Sequence, residues 1–303
     1  MRNSSTVAPE RAIWPDQRAS VHQTCESFGN LYNDFQSKHE GENVAAKSAA
    51  RRTAAKPPAK KTIRADRGAS KALIDDLVAG NRVLAQYGVV DAFGHISARH
   101  DKDPSRYLIS CSRAPEIVQA SDILEFDLDS NALNNKRGFT LYTERFIHGE
   151  IYKRRPDVMA IVHSHSPHIV PFGVAGVPLQ AVYHMAGFLC CGIPVFDIRT
   201  KFGMTDLLVR NREHGSELAD ILGDAPVALM RGHGNVVVGP SVPGVVYRAI
   251  YTEINAKLQQ QVRALGGTPT YLSREEGEKA TRTNFSAIER PWELWKKAAM
   301  AKR

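Results

Sequence analysis

The sequence predicts one α/β domain over residues 69–303, a central sheet covered by helices on both faces, preceded by a basic extension with no fold of its own. Three observations predict it. β-Rich segments and amphipathic helical segments alternate irregularly, without a βαβ repeat. The run VMAIVH (158–163) is apolar on both sides, as a buried strand is. Residues 1–68 show no sustained period, and from position 44 they are rich in Ala, Lys, Arg and Pro, too poor in apolar surface to offset the entropy of ordering.

The net charge of +8 is concentrated in that extension. Lys47, Arg51, Arg52, Lys56, Lys60, Lys61, Arg64 and Arg67 stand there against only Asp66, so the rest of the chain is near neutral. The extension reads either as a solvated tail or as a tether to nucleic acid or another acidic surface. A near-neutral body argues against nucleic acid as the main partner. The composition, 43% hydrophobic and 24% charged, is that of an ordinary globular enzyme, and no apolar run approaches the ~20 residues of a membrane span. The start, MRNSSTVAPERAIWPDQ, lacks the basic and apolar regions of a secretory signal. Cys25, Cys111, Cys190 and Cys191 form no CxxC pair, and a reduced, cytoplasmic protein is expected.

Order is expected to begin at Ser70, a helix cap ahead of the apolar stripe Leu73, Ile74, Leu77, Val78 and Leu84, with Gly88 ending the helix. Strands are predicted over 94–100, 107–111 and 123–128, and the turn-rich DSNALNNKRG should lead to a further strand. Residues 143–155 read as a helix with Phe146, Ile147, Ile151 and Tyr152 on one face, stopped before Pro156. After the strand 158–163 come a strand over 194–198, a helix over 216–222, a strand over 226–230 and a long helix over 242–265. A polar loop then leads to a last helix over 291–302. Arg99 reads as an exposed strand residue, and Cys190 and Cys191 as buried small side chains.

The chemistry concentrates in VMAIVHSHSPH. Positions i and i+2 of a strand share a face, so His163 and His165 are presented side by side to one metal ion. His233, in LMRGHGNVVVG, is the candidate third ligand, where a strand ends and two glycines permit close backbone approach. His168 is a weaker candidate on the following turn. Glu144 opens the helix before the HxH strand. It serves there either as a complement to the helix dipole or as a residue that holds and delivers a proton beside the metal. His148, one turn on, supports the site or packs in the core. His184, in VYHMAGFL, either reaches the pocket or packs in the core.

The segments TERFIHGEIYKRRPDVMAIVHSHSPH and LMRGHGNVVVG resemble the class II aldolase/adducin family, over about residues 71–266. The resemblance implies a three-layer αβα sandwich around a mostly antiparallel sheet. It implies one divalent ion per subunit on His163, His165 and His233, with Glu144 as acid/base. Zinc is the family's usual ion, with manganese and iron as the other candidates. It also implies homotetramers or larger assemblies with sites at subunit interfaces, where the segment 200–212 and the long C-terminal helix could close a neighbour's site.

Against the family's sugar-phosphate aldolases the chain departs at the phosphate pocket. Gly94-His95-Ile96-Ser97 carries His where they have Asn, and Tyr142-Thr143-Glu144 lacks their first Ser. Cys111-Ser112-Arg113-Ala114-Pro115 replaces their threonine-rich loop. His95, Arg113, Tyr142, Thr143 and His184 are therefore the candidate substrate residues, and a guanidinium suits a carboxylate. The runs VVDAFGHISARH, SRAP and HMAGFL resemble a branch of decarboxylases acting on hydroxylated aromatic dicarboxylates or ring-opened 2-hydroxy-3-carboxymuconic-semialdehyde-type acids. That resemblance implies a metal-dependent carboxy-lyase of aromatic degradation. A sugar-phosphate aldolase or epimerase is the alternative, and a nucleic-acid-associated protein led by the tail is another.

Overall fold

The computed structural model describes residues 68–135 and 137–301, so the expectation of a disordered extension over 1–68 lies outside the described residues except for Gly68. The chain enters through α1 (Lys71–Gln86), capped by Ser70, whose Oγ accepts the Leu73 N–H at 3.2 Å. Gly88, with φ +67°, turns the chain away after the helix, a conformation that glycine adopts without a Cβ clash.

Seven strands follow: β1 (His95–Arg99), β2 (Arg106–Ser110), β3 (Ile123–Asp127), β4 (Ala160–Ser164), β5 (Val195–Phe196), β6 (Val227–Met230) and β7 (Gly234–Gly239). They form one sheet in the order β3-β2-β1-β4-β7-β6-β5, antiparallel throughout except for the parallel β5–β6 pair. The helices between and after the strands are α2 (Phe146–Arg154), α3 (Arg199–Phe202), α4 (Arg212–Leu222), α5 (Val242–Ala264), α6 (Arg274–Ser286) and α7 (Glu289–Ala301).

Strand alternation divides the sheet between two cores. Ile96, Ala98, Ala160 and Val162 pack with α1, α5 and α7, the last through Trp292 and Trp295. Ile109, Ile161, Val236 and Val238 face the other way, onto Ile147 and Ile151 of α2 and Leu218 and Leu222 of α4. This is the three-layer αβα sandwich with a mostly antiparallel sheet. Among the described residues no helix is long and apolar enough to cross a membrane.

Several expectations are corrected. No strand follows DSNALNNKRG: an isolated bridge, Phe126 to Ala132, folds it back on β3, and the chain runs irregularly into a 3-10 turn at Thr143–Arg145. Residues 143–155 are not one helix, because Glu144 (φ −91°, ψ 17°) leaves the helical region before α2 begins. GNVVVG is a strand, β7, central in the sheet between β4 and β6. Within the polar stretch before the last helix lies α6, announced by a capping box between Ser273 and Glu276. It packs through small residues, its Gly277 carbonyl oxygen lying 2.6 Å from where a Cβ on Gly187 would stand. Arg99 is buried, held by the carbonyls of Val158, Pro104, Tyr152 and Arg155 and stacked over the Tyr152 ring. Cys190 and Cys191 are half-buried thiols with their sulfurs 3.7 Å apart.

The β6–β7 turn carries the closest packing near the site. Gly232 adopts φ +64° there, and the His233 N–H closes the turn on the Met230 carbonyl at 3.1 Å. A Cβ on Gly234 would stand 2.0 Å from the Ser164 carbonyl oxygen of β4. Gly234→Ala should therefore destabilise the protein by about 3 kcal/mol, as overpacking against backbone does. Chemical denaturation would measure it as a lower midpoint at unchanged slope.

Candidate metal centre

Four side chains from three parts of the chain meet at the ends of the central strands. His163 is the penultimate residue of β4, and His165 follows one residue after the strand on the same side. His233 comes from the β6–β7 turn, and Glu144 from the kinked turn before α2. One ligand atom from each lies within 4.8 Å of the others. The three imidazole rings have centroids 4.9–5.0 Å apart. Glu144 Oε2 lies 3.4 Å from both His163 Nε2 and His233 Nε2.

Backbone carbonyls orient two of the rings. His163 Nδ1 donates to the Asn235 carbonyl at 3.1 Å, and His233 Nδ1 donates to the Leu207 carbonyl at 3.1 Å. With Nδ1 as donor, the neutral ring carries its lone pair on Nε2, aimed into the group. His163 Nε2 is buried with no hydrogen-bond partner. His233 Nε2 and His165 Nε2 face each other at 3.1 Å. An unpartnered buried nitrogen and converging imidazoles beside a carboxylate fit a divalent ion of zinc's preferences.

Burial alone would raise the Glu144 carboxyl, but His163 and His233 lower it when they carry a proton on Nε2, the place a bound cation would take. Burial, with His163 and His233 next to it, pushes His165 down to about 4. The Val209 N–H donates to Glu144 Oε1 at 2.9 Å, leaving Oε2 toward the histidines.

His95 borders the group from β1, directly opposite His163 in the β1–β4 ladder, with ring centroids 5.1 Å apart. The Tyr142 ring packs on His95 at 4.5 Å, and the Tyr142 hydroxyl donates to the Arg113 carbonyl at 2.5 Å. Arg113 Nε pairs with Asp122 Oδ2 at 3.1 Å. Thr143 and His184 are exposed, and His184 packs edge-on against Tyr183 with ring centroids 6.1 Å apart, which removes the core reading for it. His168 pairs with Glu253 at 2.5 Å, away from the four-residue group.

Three contributors were not singled out in the sequence. Leu207, a non-glycine residue at φ +68°, supplies the carbonyl that orients His233, and Val209 supplies the N–H that holds Glu144. Both lie in the segment 200–212, which therefore closes on its own chain's site. Phe93, 67% exposed, stands 6.4 Å from the His165 ring at the rim. The backbone groups leave no sequence signal. Phe93 had one, an aromatic residue two positions before His95 in the loop that leads into β1.

The chain matches the family model for the class II aldolase and adducin N-terminal domain over residues 75–260. It is 35% identical to the decarboxylase tropJ of Talaromyces stipitatus over 241 residues, 72% of this chain and 90% of that protein. It is 34% identical to a 3,4-dihydroxyphthalate decarboxylase of Arthrobacter keyseri over 200 residues, 61% of this chain and 77% of that protein. The fold resembles that of an L-fuculose 1-phosphate aldolase from Glaciozyma antarctica, with a TM-score of 0.64 at 20% identity, covering 82% of this chain and 96% of that one.

The imidazole environment predicts a pH dependence for the metal-free protein. His165 titrates near 6.5 when unfolded and near 4 when folded, so the unfolded chain binds more protons between those values. The stability contributed by its neutral form is complete above about pH 6.5 and is lost as pH falls toward 4. The lowered Glu144 carboxyl acts in the same direction below about 4.5. Calorimetry in chelator should give a lower Tm at pH 4.5 than at pH 7, and added zinc should raise the Tm at pH 7. His233→Ala should abolish that zinc-dependent rise.

Proposed function

The chain belongs to the class II aldolase/adducin family, and on that premise we propose that it is a divalent-metal-dependent decarboxylase. Its substrate is a hydroxylated aromatic dicarboxylate or a ring-opened acid of the 2-hydroxy-3-carboxymuconic-semialdehyde type, met in the degradation of aromatic compounds. The observation that carries the proposal is the convergence of three imidazoles and one carboxylate, their ligand atoms within 4.8 Å of one another, with His163 Nε2 buried and unpartnered. The named activities of the two similar decarboxylases support loss of CO2 over aldol cleavage.

His163, His165 and His233 would hold the ion, which when bound stabilises the negative charge that develops as a C–C bond breaks. Glu144, fixed through Oε1 by the Val209 N–H and with Oε2 turned toward the histidines, takes the proton of a substrate hydroxyl. The C–C bond to the carboxylate then breaks, CO2 leaves without the electron pair, and that pair stays on the ring carbon. Glu144 returns its proton to that carbon, so the carbon loses CO2 and gains H, the carboxylate of Glu144 is restored, and the substrate oxygen, left as an oxyanion, takes a proton from solvent as product leaves. His95 and Tyr142 border the place where the ring would lie, and Phe93 offers an exposed aromatic face for a planar substrate. Arg113, Thr143 and His184 complete the candidate substrate set, with Arg113 suited to a carboxylate.

The ion is proposed as zinc, with manganese and iron as the alternatives, one per subunit. The assembly is proposed as a homotetramer or larger in the cytoplasm.

Elemental analysis of the purified protein, with CO2 release from 3,4-dihydroxyphthalate and related hydroxylated dicarboxylates, tests this reading. About one metal ion per chain is expected, and Glu144→Gln should lower kcat by about 10²–10⁴-fold. Cleavage of a sugar phosphate without CO2 release would replace it by the aldolase reading.

A further inference from the structure

Behind His95 runs a chain of buried polar side chains that the proposed reaction does not use. On β1, His95 and Ser97 point to the same face, and on α2, His148 and Tyr152 are one turn apart and face them. His95 Nδ1 lies 2.7 Å from His148 Nε2, His148 Nδ1 lies 2.6 Å from Ser97 Oγ, and Ser97 Oγ lies 2.8 Å from the Tyr152 hydroxyl. All four residues are buried.

The order of donors in this chain is decided at its far end. Among the described residues, the only hydrogen-bond partner of the Tyr152 hydroxyl is Ser97 Oγ. A buried phenol needs an acceptor for its proton, so Tyr152 donates to Ser97. The partners of Ser97 Oγ are Tyr152 and His148, so its own proton goes to His148 Nδ1. His148 is then a neutral ring with its proton on Nε2, which donates to His95 Nδ1. His95, accepting at Nδ1, carries its proton on Nε2. Every other arrangement of these protons leaves the Tyr152 or the Ser97 hydroxyl proton without an acceptor.

We infer that Tyr152, Ser97 and His148 are positioning residues that fix His95 as the Nε2–H tautomer, a neutral hydrogen-bond donor to a substrate oxygen and not a fourth metal ligand. The His95 ring stands beside His163, and no described residue hydrogen-bonds its Nε2. A neutral donor suits a substrate hydroxyl, carbonyl or carboxylate oxygen beside the ion. This role for His95 deepens the decarboxylase reading and rests on it, whereas the tautomer follows from the protein alone.

Neutron diffraction of the deuterium-exchanged, zinc-loaded full-length protein separates the two. The expected map has deuterium on Nε2 of His95 and His148 and none on Nδ1 of either. Deuterium on His95 Nδ1, or zinc within bonding distance of His95 Nε2, would overturn the inference whatever the enzyme's activity. In steady-state assays of CO2 release, Tyr152→Phe and Ser97→Ala should lower kcat/KM about tenfold at unchanged metal content. Ser97→Thr, which keeps the hydroxyl, should retain most of it. Equal losses in Ser97→Ala and Ser97→Thr would mark a packing role and defeat the positioning role. Absence of CO2 release from the wild type would remove the reaction and leave the neutron result to judge the tautomer.

Discussion

The site depends on the register of three antiparallel strands. β1 pairs with β4 so that His95 stands opposite His163, and β4 pairs with β7 so that His163 stands opposite Val236. The same β7 register delivers the Asn235 carbonyl to His163 Nδ1 and draws the β6–β7 turn, with His233, over the end of β4. A slip of one residue in either pair would carry His163 to the opposite face of the sheet, among the side chains of α1 and α5. The register is held by the two cores, which accept alternate residues of each strand, and by Gly234, whose missing Cβ allows β7 to lie against Ser164.

On that frame four side chains come together as a group of the kind that can hold a divalent cation. Two histidines are tethered through Nδ1 to carbonyls and so present lone pairs inward, and the third faces them across 3.1 Å. Glu144 contributes the one formal negative charge to the group, and its carboxyl is lowered when His163 and His233 carry a proton on Nε2, the place a bound cation would take. The kink at Glu144 is part of this arrangement. A carboxylate in a regular first turn would lie on the α2 helix, whereas the 3-10 turn directs it to the ends of β4 and β7. Leu207 holds a backbone conformation costly for a branched side chain, and its carbonyl orients His233.

The helix layers divide the labour. α1, α5 and α7 bury apolar faces and serve stability. α2 is mixed: Ile147 and Ile151 fill the core, while His148 and Tyr152 on an adjoining stripe meet the polar side chains of β1. Arg99 ends that polar row. Its guanidinium is bonded to four backbone carbonyls and stacked on the Tyr152 ring, which it holds in place.

The sequence by itself determined the fold class, most element positions, the HxH pair, its partner His233 and the candidate Glu144. Each of these is written in local periodicity or in a motif whose spacing sets the direction of the side chains. Only the tertiary structure decided that GNVVVG is a central strand, that Arg99 is buried, that a polar segment forms α6, and that Ser97, His148 and Tyr152 connect to His95. The physical reason is shared. Register joins segments distant in the chain, α6 packs through small residues that leave no apolar stripe, and the Leu207 carbonyl and Val209 N–H belong to a backbone that is the same at every residue. What a residue is can be read from its letter, but what it meets depends on which strand and helix lie beside it.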